Sequence, residues 1–359
     1  MSDHKREIDE LRRQMAAIDA QLLVGLEKRA KASKAVGALL GDQPPQLSLQ
    51  DRPQIDALVA RSSGDMPAES LRTIFRAVYA ACLGLQMPAT VAYLGPDGAV
   101  GLSVANGHFG SAATFVACES AALALEEVSR QRASFAVLPY ETSTEGPVQA
   151  TILAVAASEL RIAQVLESTP SLHLFNRTGQ LRDVEKVYAT LSDRALAESS
   201  LKAVVTDRPF EIVEVASPLA ACQMAAADPS AAALASEGAG GELGLEIARK
   251  NVLDRRSERV RYAIVSSRPS SRTGDDSTAI VFSLADAPGA LLDALKKFAE
   301  RGIDLSKIQS RPIEAEGWAY LFFLEVAGHA TDRQLVSALE EVRRLTKFFR
   351  VLGSYPAHG

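Results

Sequence analysis

Asp286-Ala287-Pro288-Gly289-Ala290-Leu291 and, eighteen residues further on, Gln309-Ser310-Arg311-Pro312 are the two stretches that decide how this chain reads. Around them, residues 278–284 alternate as a strand does, 288–301 carry helical spacing, 303–308 and 319–326 read as strands, and 331–345 as a helix. The order is βαββαβ, a ferredoxin-like α+β module. Pro288 presets φ at the first helical turn, and Gly289 lets backbone approach whatever sits over the helix N-terminus. The free N–H groups there suit a carboxylate, so an amino acid would fit.

With these motifs in place, the segment resembles the phenylalanine-binding ACT domain of prephenate dehydratases. The family's GAL and ESRP motifs stand here as Gly289-Ala290-Leu291 and Gln309-Ser310-Arg311-Pro312, with only the leading Glu changed, to Gln309. The resemblance implies an L-phenylalanine effector site with Gly289, Ala290 and Leu291 as one wall and Ser310 and Arg311 supplied across a facing subunit.

Length and composition bound the rest. A chain of 359 residues predicts two or three domains, and 47% hydrophobic content supports real cores. Net charge of −5 argues against a nucleic-acid or anionic-membrane partner. Residues 1–40 are too charged for a signal peptide, and no apolar run approaches the roughly 20 residues of a membrane span. Cys82, Cys118 and Cys222 are far apart and lack metal-site spacing. Reduced, buried thiols in a cytoplasmic protein are expected, with no metal and no cofactor.

The first 87 residues read as all helix. Ile8, Leu11, Met15, Ile18, Leu22 and Leu26 recur at three- and four-residue intervals along one long amphipathic helix reaching about Leu40, and residues 41–45 break it. A shorter helix is expected from Gln50 or Pro53 to about Arg61. A third runs over 67–86, with Leu71, Phe75, Val78, Cys82 and Leu85 on its apolar stripe. Three such helices bury their stripes poorly alone, which points to an intertwined homodimer or a tetramer.

This arrangement resembles the helical chorismate mutase domain at the front of bifunctional chorismate mutase–prephenate dehydratases. Rearranging a dicarboxylate calls for guanidinium forks and for donors to the ether oxygen whose bond breaks. By resemblance, Arg12, Arg29 and Arg52 match the carboxylate-binding arginines and Gln86 the ether-side residue. Read without the family, the arginines are solvated helix-face charges. The family's lysine donor is Leu40 here, the glutamate after the third arginine is Pro53, and an upstream acidic residue is Leu49.

Residues 88–270 alternate strands (91–96, 133–139, 185–189, 211–215, 231–235) with helices (119–131, 217–226), an α/β pattern of two lobes with a crevice between them. The block resembles the prephenate dehydratase catalytic domain. The landmarks are Leu94-Gly95-Pro96-Asp97-Gly98, Ala136-Val137-Leu138-Pro139 leading to Glu141, Val187-Tyr188, and Ala235-Ser236-Glu237-Gly238 before Gly244-Leu245. The resemblance places Glu141, Thr142, Ser143 and Arg261 at a dicarboxylate site at a strand end facing the crevice. A polar loop whose hydroxyls serve turns is the alternative for Glu141, Thr142 and Ser143.

Departures accumulate at the chemistry. The family's acid is the threonine of Thr-Arg-Phe, which aligns with Val260-Arg261-Tyr262, and valine has no proton to give. The family's Glu-Asn-Ser/Thr is Glu141-Thr142-Ser143, its Gly-x-Tyr/Phe-Ser is Gly98-Ala99-Val100-Gly101, and one histidine becomes Thr190-Leu191 after Ala189. Ser171 stands at another family histidine, with His173 two residues away as a structural histidine or a shifted substitute. The segment 236–241 is Gly-rich but has neither a Walker lysine nor GxGxxG spacing.

The expected organisation is therefore 1–87 mutase-like, 88–270 dehydratase-like and 276–359 ACT. Three functions stay open at this point: the family enzyme of phenylalanine biosynthesis under feedback, a divergent enzyme that decarboxylates prephenate without aromatising it, and a non-catalytic phenylalanine-responsive protein.

Overall fold

The computed structural model describes residues 2–40, 51–86, 89–96, 98–110, 112–205, 210–236, 239–240, 243–254, 259–312 and 320–357. By contacts the chain divides into two compact units, Met1–Ala89 with Gly107–Thr114, and Thr90–Asn106 with Phe115–Gly359. Of the three segments expected from the sequence, 1–87, 88–270 and 276–359, the last two share one core through the first lobe and the ACT sheet.

The helical unit holds α1 (Ser2–Leu40), α2 (Asp51–Val59) and α3 (Ala68–Gln86). The expected break at residues 41–45 lies outside the described residues, as does Leu49. Only the last third of α1 meets α3, where Gly37 lies against the Gln86 backbone so closely that an added Cβ would be 2.8 Å from Gln86 Cα. Upstream, Ile8, Leu11, Met15, Ile18, Leu22 and Leu26 are all exposed, between 45% and 64%.

After α3 the chain forms β1 (Thr90–Leu94), α4 (Val100–Phe109), β2 (Thr114–Cys118), α5 (Ala121–Ser129), β3 (Phe135–Thr142), β4 (Gly146–Pro147), α6 (Gln149–Ala157) and β5 (Arg161–Ser168). A second lobe follows: β6 (His173–Asn176), β7 (Lys186–Ala189), α7 (Leu191–Leu196), α8 (Glu198–Val205), β8 (Glu211–Glu214), α9 (Pro218–Ala227), β9 (Ala231–Ala235) and β10 (Glu246–Arg249). The chain then returns as β11 (Val260–Ser266), which lies between β3 and β5 and runs antiparallel to both. The first sheet has the order β2-β1-β3-β11-β5 and the second β10-β6-β9-β7-β8, so the second lobe is an insertion between two strands of the first.

Ser120 and Ser217 cap α5 and α9 by accepting the N–H of the third residue on, and Pro218 opens α9. The strand expected over 133–139 instead continues to Thr142 through Pro139. Pro139 is tolerated because β3 carries a bulge there, with Arg261 opposite Glu141 and Tyr262 opposite Pro139, leaving Tyr140 as the extra residue.

The C-terminal module is β12 (Asp276–Leu284), α10 (Ala290–Ala299), β13 (Leu305–Pro312), β14 (Tyr320–Ala327), α11 (Arg333–Leu345) and β15 (Thr346–Pro356), with sheet order β13-β14-β12-β15. This is the βαββαβ order read from sequence. One detail is corrected: α10 starts at Ala290, not at Pro288. Gly289 takes φ of 82° and acts as the N-cap, so Pro288 sits in the turn before the helix.

The sheet's two faces have different partners. Ile280, Phe282, Leu324 and Val326 pack on α10 and α11 through Phe298 and Leu335. Ala279, Val281, Phe323 and Leu352 face the first lobe and join a core with Leu138, Ile162 and Val265. Fully burying a side chain of this size stabilises by about 1.5–3 kcal/mol. No described helix is long and apolar enough to cross a membrane.

Candidate functional site

The bulge in β3 turns the buried Tyr140 toward the ACT sheet and starts a polar cluster inside an otherwise apolar joint. Glu325 of β14 is only 5% exposed. It accepts hydrogen bonds from Tyr355 Oη at 2.9 Å, from Tyr140 Oη at 3.2 Å, and from Arg261 Nη1 at 2.9 and 3.0 Å to its two oxygens. The same Nη1 donates to Glu141 Oε2 at 2.8 Å, and Lys307 Nζ donates to Glu141 Oε1. Two carboxylates thus meet two cations, which lets the charges leave water with their partners in place.

The surroundings fix the protonation of Arg261 and the two phenols. Burial would lower the Arg261 pKa, but the charge of Glu325 and the hydrogen bond to Glu141 outweigh it, and the guanidinium is held above its ordinary value. Burial first, then Glu325, raises Tyr355, and burial with Tyr355 and Glu325 raises Tyr140. Both phenols therefore stay protonated as donors. Tyr262, next along β11, is pushed up to about 12 by burial.

The loop after β3 faces the edge strand β13. A cleft of about 370 Å³ is lined by Glu141, Thr142, Ser143 and Glu145 on one side and by Gln309, Ser310 and Arg311 on the other. Glu141, Thr142 and Ser143, expected at a crevice between lobes, line this cleft beside the ACT edge strand. Thr142 Oγ1 accepts the Glu145 N–H at 3.0 Å and Ser143 Oγ accepts the Arg259 N–H at 3.0 Å, so both hydroxyls serve the turn.

The effector residues divide. A bulge between Leu305 and Lys307 resets β13, pairing Lys307 with Glu325, Gln309 with Phe323, Ser310 with Phe322 and Arg311 with Leu321. Alternation then puts Lys307, Gln309 and Arg311 on the face toward the dehydratase-like lobe and Ser310 on the helix-covered face. Arg311 donates to the Glu145 carbonyl. Ser310 and Arg311, expected to act together, point to opposite faces of one strand. Gly289 is exposed, while Ala290 and Leu291 are half-buried at the start of α10.

Where the two lobes meet, Gly98 (φ of 83°) approaches the Leu219 nitrogen so closely that a Cβ would lie 2.9 Å away. Ser236 Oγ bonds the Gly98 carbonyl at 3.3 Å and pairs with Ser103 Oγ at 3.2 Å. Thr190, in place of a family histidine, caps α7 and donates to Asp193 at 2.8 Å. His173 is held by its neighbours: Nδ1 accepts the Asn251 N–H at 3.1 Å, which leaves Nε2 to donate to Ser171 Oγ at 3.1 Å.

In the helical unit, Gln86 Nε2 donates to Ser33 Oγ at 2.9 Å, and Ser33 donates to the Cys82 carbonyl at 2.8 Å. Arg29 lies 4.1 Å over the Tyr79 ring. Arg12 is exposed beside Asp9 at 3.8 Å. The side chains of Leu40, Arg52 and Pro53 lie outside the description.

Sequence reasoning missed Lys307, Glu325, Tyr140 and Tyr355. The only signal for Glu325 was a charge in the apolar run 321–327, where a buried acid calls for a partner.

Comparison with known proteins gives concordant matches. A family model described as prephenate dehydratase matches residues 91–270, and one described as ACT domain matches 278–344. The bifunctional chorismate mutase/prephenate dehydratase of Aquifex aeolicus (strain VF5) is 34% identical over 360 residues, covering 98% of each chain. Among solved structures, the prephenate dehydratase of Arthrobacter aurescens in complex with L-Phe is 31% identical with a TM-score of 0.63, over 74% of this chain and 90% of that one. A structure described as GqqA, a novel type of quorum quenching acylase, is 26% identical with a TM-score of 0.62, over 75% of this chain and 98% of that one.

Proposed function

The chain belongs to the bifunctional chorismate mutase/prephenate dehydratase family, and from that premise we infer that it serves L-phenylalanine biosynthesis, taking chorismate to prephenate and prephenate to phenylpyruvate, with L-phenylalanine acting through the ACT module. The observation that carries this reading is the full-length match in the same domain order.

Each part has a chemical task. In the helical unit, Arg12, Arg29 and Arg52 hold the two carboxylates of chorismate and Gln86 stands at the ether oxygen. The exposed apolar stripe of α1 is covered by a second copy in a homodimer or tetramer, because a lone helix of this length gains little from propensity and needs a packed face. In the dehydratase unit, Arg261 holds a prephenate carboxylate while carbon dioxide and the ring hydroxyl depart. In the ACT module, the first turn of α10 receives the carboxylate of phenylalanine.

Val260 favours a second reading. It stands where the family's acid stands and has no proton to give. Without an acid, loss of carbon dioxide with protonation at a ring carbon gives a non-aromatic product, the work of a divergent decarboxylase. The GqqA structure, of the same fold under an acylase description, shows that fold alone does not fix the reaction.

The test is to incubate the purified protein with prephenate at neutral pH beside a protein-free control and to identify the product by NMR and mass spectrometry. Phenylpyruvate supports the family reaction, and a non-aromatic decarboxylated acid supports the second reading. Unchanged prephenate, with phenylalanine binding by calorimetry, leaves a phenylalanine-responsive binding protein.

A further inference from the structure

Arg261 is anchored by one nitrogen only. Nη1 makes all of its hydrogen bonds to Glu141 and Glu325, and among the described residues Nε and Nη2 have no partner. A guanidinium held this way offers its other edge, a planar fork of N–H groups whose spacing matches a carboxylate. The side chain keeps 24% of its surface exposed.

The anchor comes from the ACT sheet. Glu325 on β14 and Lys307 on β13 are register partners, and both face the dehydratase lobe. Glu325 is itself fixed by two buried tyrosine hydroxyls, one from each side of the joint. Lys307 holds Glu141 from the opposite side to Arg261.

We propose that Glu325 and Lys307 are positioning residues of the dehydratase site, supplied by the regulatory module: Glu325 fixes the Arg261 guanidinium so that its open edge faces a substrate carboxylate, and Lys307 keeps Glu141 from turning that edge inward. Neither residue touches substrate. The proposal rests on the reading of Arg261 as a carboxylate-binding residue for prephenate. It makes the catalytic lobe incomplete without the ACT sheet, since the charge that orients Arg261 lies on β14.

Steady-state kinetics and calorimetric binding of prephenate to the full-length protein test this. Glu325→Gln keeps an acceptor for both tyrosines and removes the charge; KM and Kd for prephenate are expected to rise at least tenfold with kcat within about twofold, the pattern of lost uniform binding. Lys307→Gln, on the edge strand, is expected to raise them about threefold, and Lys307→Arg to restore them. A merely structural role would lower the melting temperature and the folded fraction while leaving the KM of the surviving protein unmoved. Should Glu325→Gln fail to fold, the two Lys307 variants decide. Affinity unchanged within twofold in the folded variants overturns the proposal. A wild-type protein that neither binds nor converts prephenate overturns the dehydratase reading itself, and that result appears before any variant is made.

Discussion

Gly353 on β15 meets Ile162 on β5 backbone to backbone: a Cβ built on Gly353 would lie 2.6 Å from the Ile162 nitrogen and nearer still to its carbonyl oxygen. The ACT sheet and the first dehydratase sheet are in contact through main chain, with no side chain able to yield. Gly353→Ala is therefore expected to destabilise by about 2–3 kcal/mol, the scale of overpacking in a closed core. A urea midpoint lowered by that free energy divided by an unchanged m-value is the expected result.

The Arg261–Glu325 pair should behave as a buried ion pair. Arg261→Met leaves Glu325 and Glu141 facing a joint with one cation fewer, and the expected cost is about 3–5 kcal/mol. The double variant Arg261→Met with Glu325→Leu should cost less than the two single changes together by at least about 1 kcal/mol. Chemical denaturation of the four proteins in the cycle measures this coupling, and strict additivity would contradict it.

Val260→Thr returns the hydroxyl that the family carries at that position. Thr142, the register partner of Val260, is tied into a local turn, so the surroundings of the restored hydroxyl have changed too. Phenylpyruvate formation is expected to change by less than about threefold, against the roughly 10²–10³ that one preorganised donor is worth. A gain of that larger size would show that the substitution alone removed the activity.

His108 on α4 should give stability a pH dependence of definite sign. Its Nε2 is shut away from solvent with no hydrogen-bond partner among the described residues, and burial lowers its pKa from 6.5 to about 4. Between those values the unfolded chain binds a proton that the folded chain refuses, so this contribution is complete above 6.5 and is lost as pH falls toward 4. The expected loss is at most about 3 kcal/mol. Denaturation at pH 7.5 and 4.5 should show a smaller difference for His108→Leu than for wild type.

The three thiols should be silent in the native protein. Cys82, Cys118 and Cys222 are all buried and unpaired with one another. Burial, then Asp193, pushes Cys222 up to about 12, and burial, then Glu127, raises Cys118. An Ellman assay is expected to find less than one reactive thiol per native chain and three after denaturation.

The ACT module was legible because its signals are local: alternation over 278–284, helical spacing after it, and two short motifs at fixed separation. The misplaced start of α10 shows the limit of such signals, since Pro288 fits either the first helical position or the turn before it, and only the positive φ at Gly289 decides. Alternation alone separates Ser310 from Arg311, since neighbours in a strand point to opposite faces; what the bulge at Ser306 decides, and the sequence does not reveal, is which of the two faces the lobe. Arg261 was found by family position, but its anchor was not. Glu325 is 64 residues away on another module, and nothing in either segment announces the other. Pairings across a joint between modules are the part of a site that periodicity does not encode.

The return of the chain as β11 has a consequence for how the protein is made. The first sheet has a gap between β3 and β5 that only Val260–Ser266 can close, and on the ribosome that strand emerges after the entire second lobe. Until then two strand edges of a forming sheet stand unpaired, open to wrong partners. The strand that finally seals them is the one that carries Arg261, so the last piece of the sheet and the guanidinium that Glu325 anchors are delivered by the same seven residues, ahead of the ACT strand that holds the anchor.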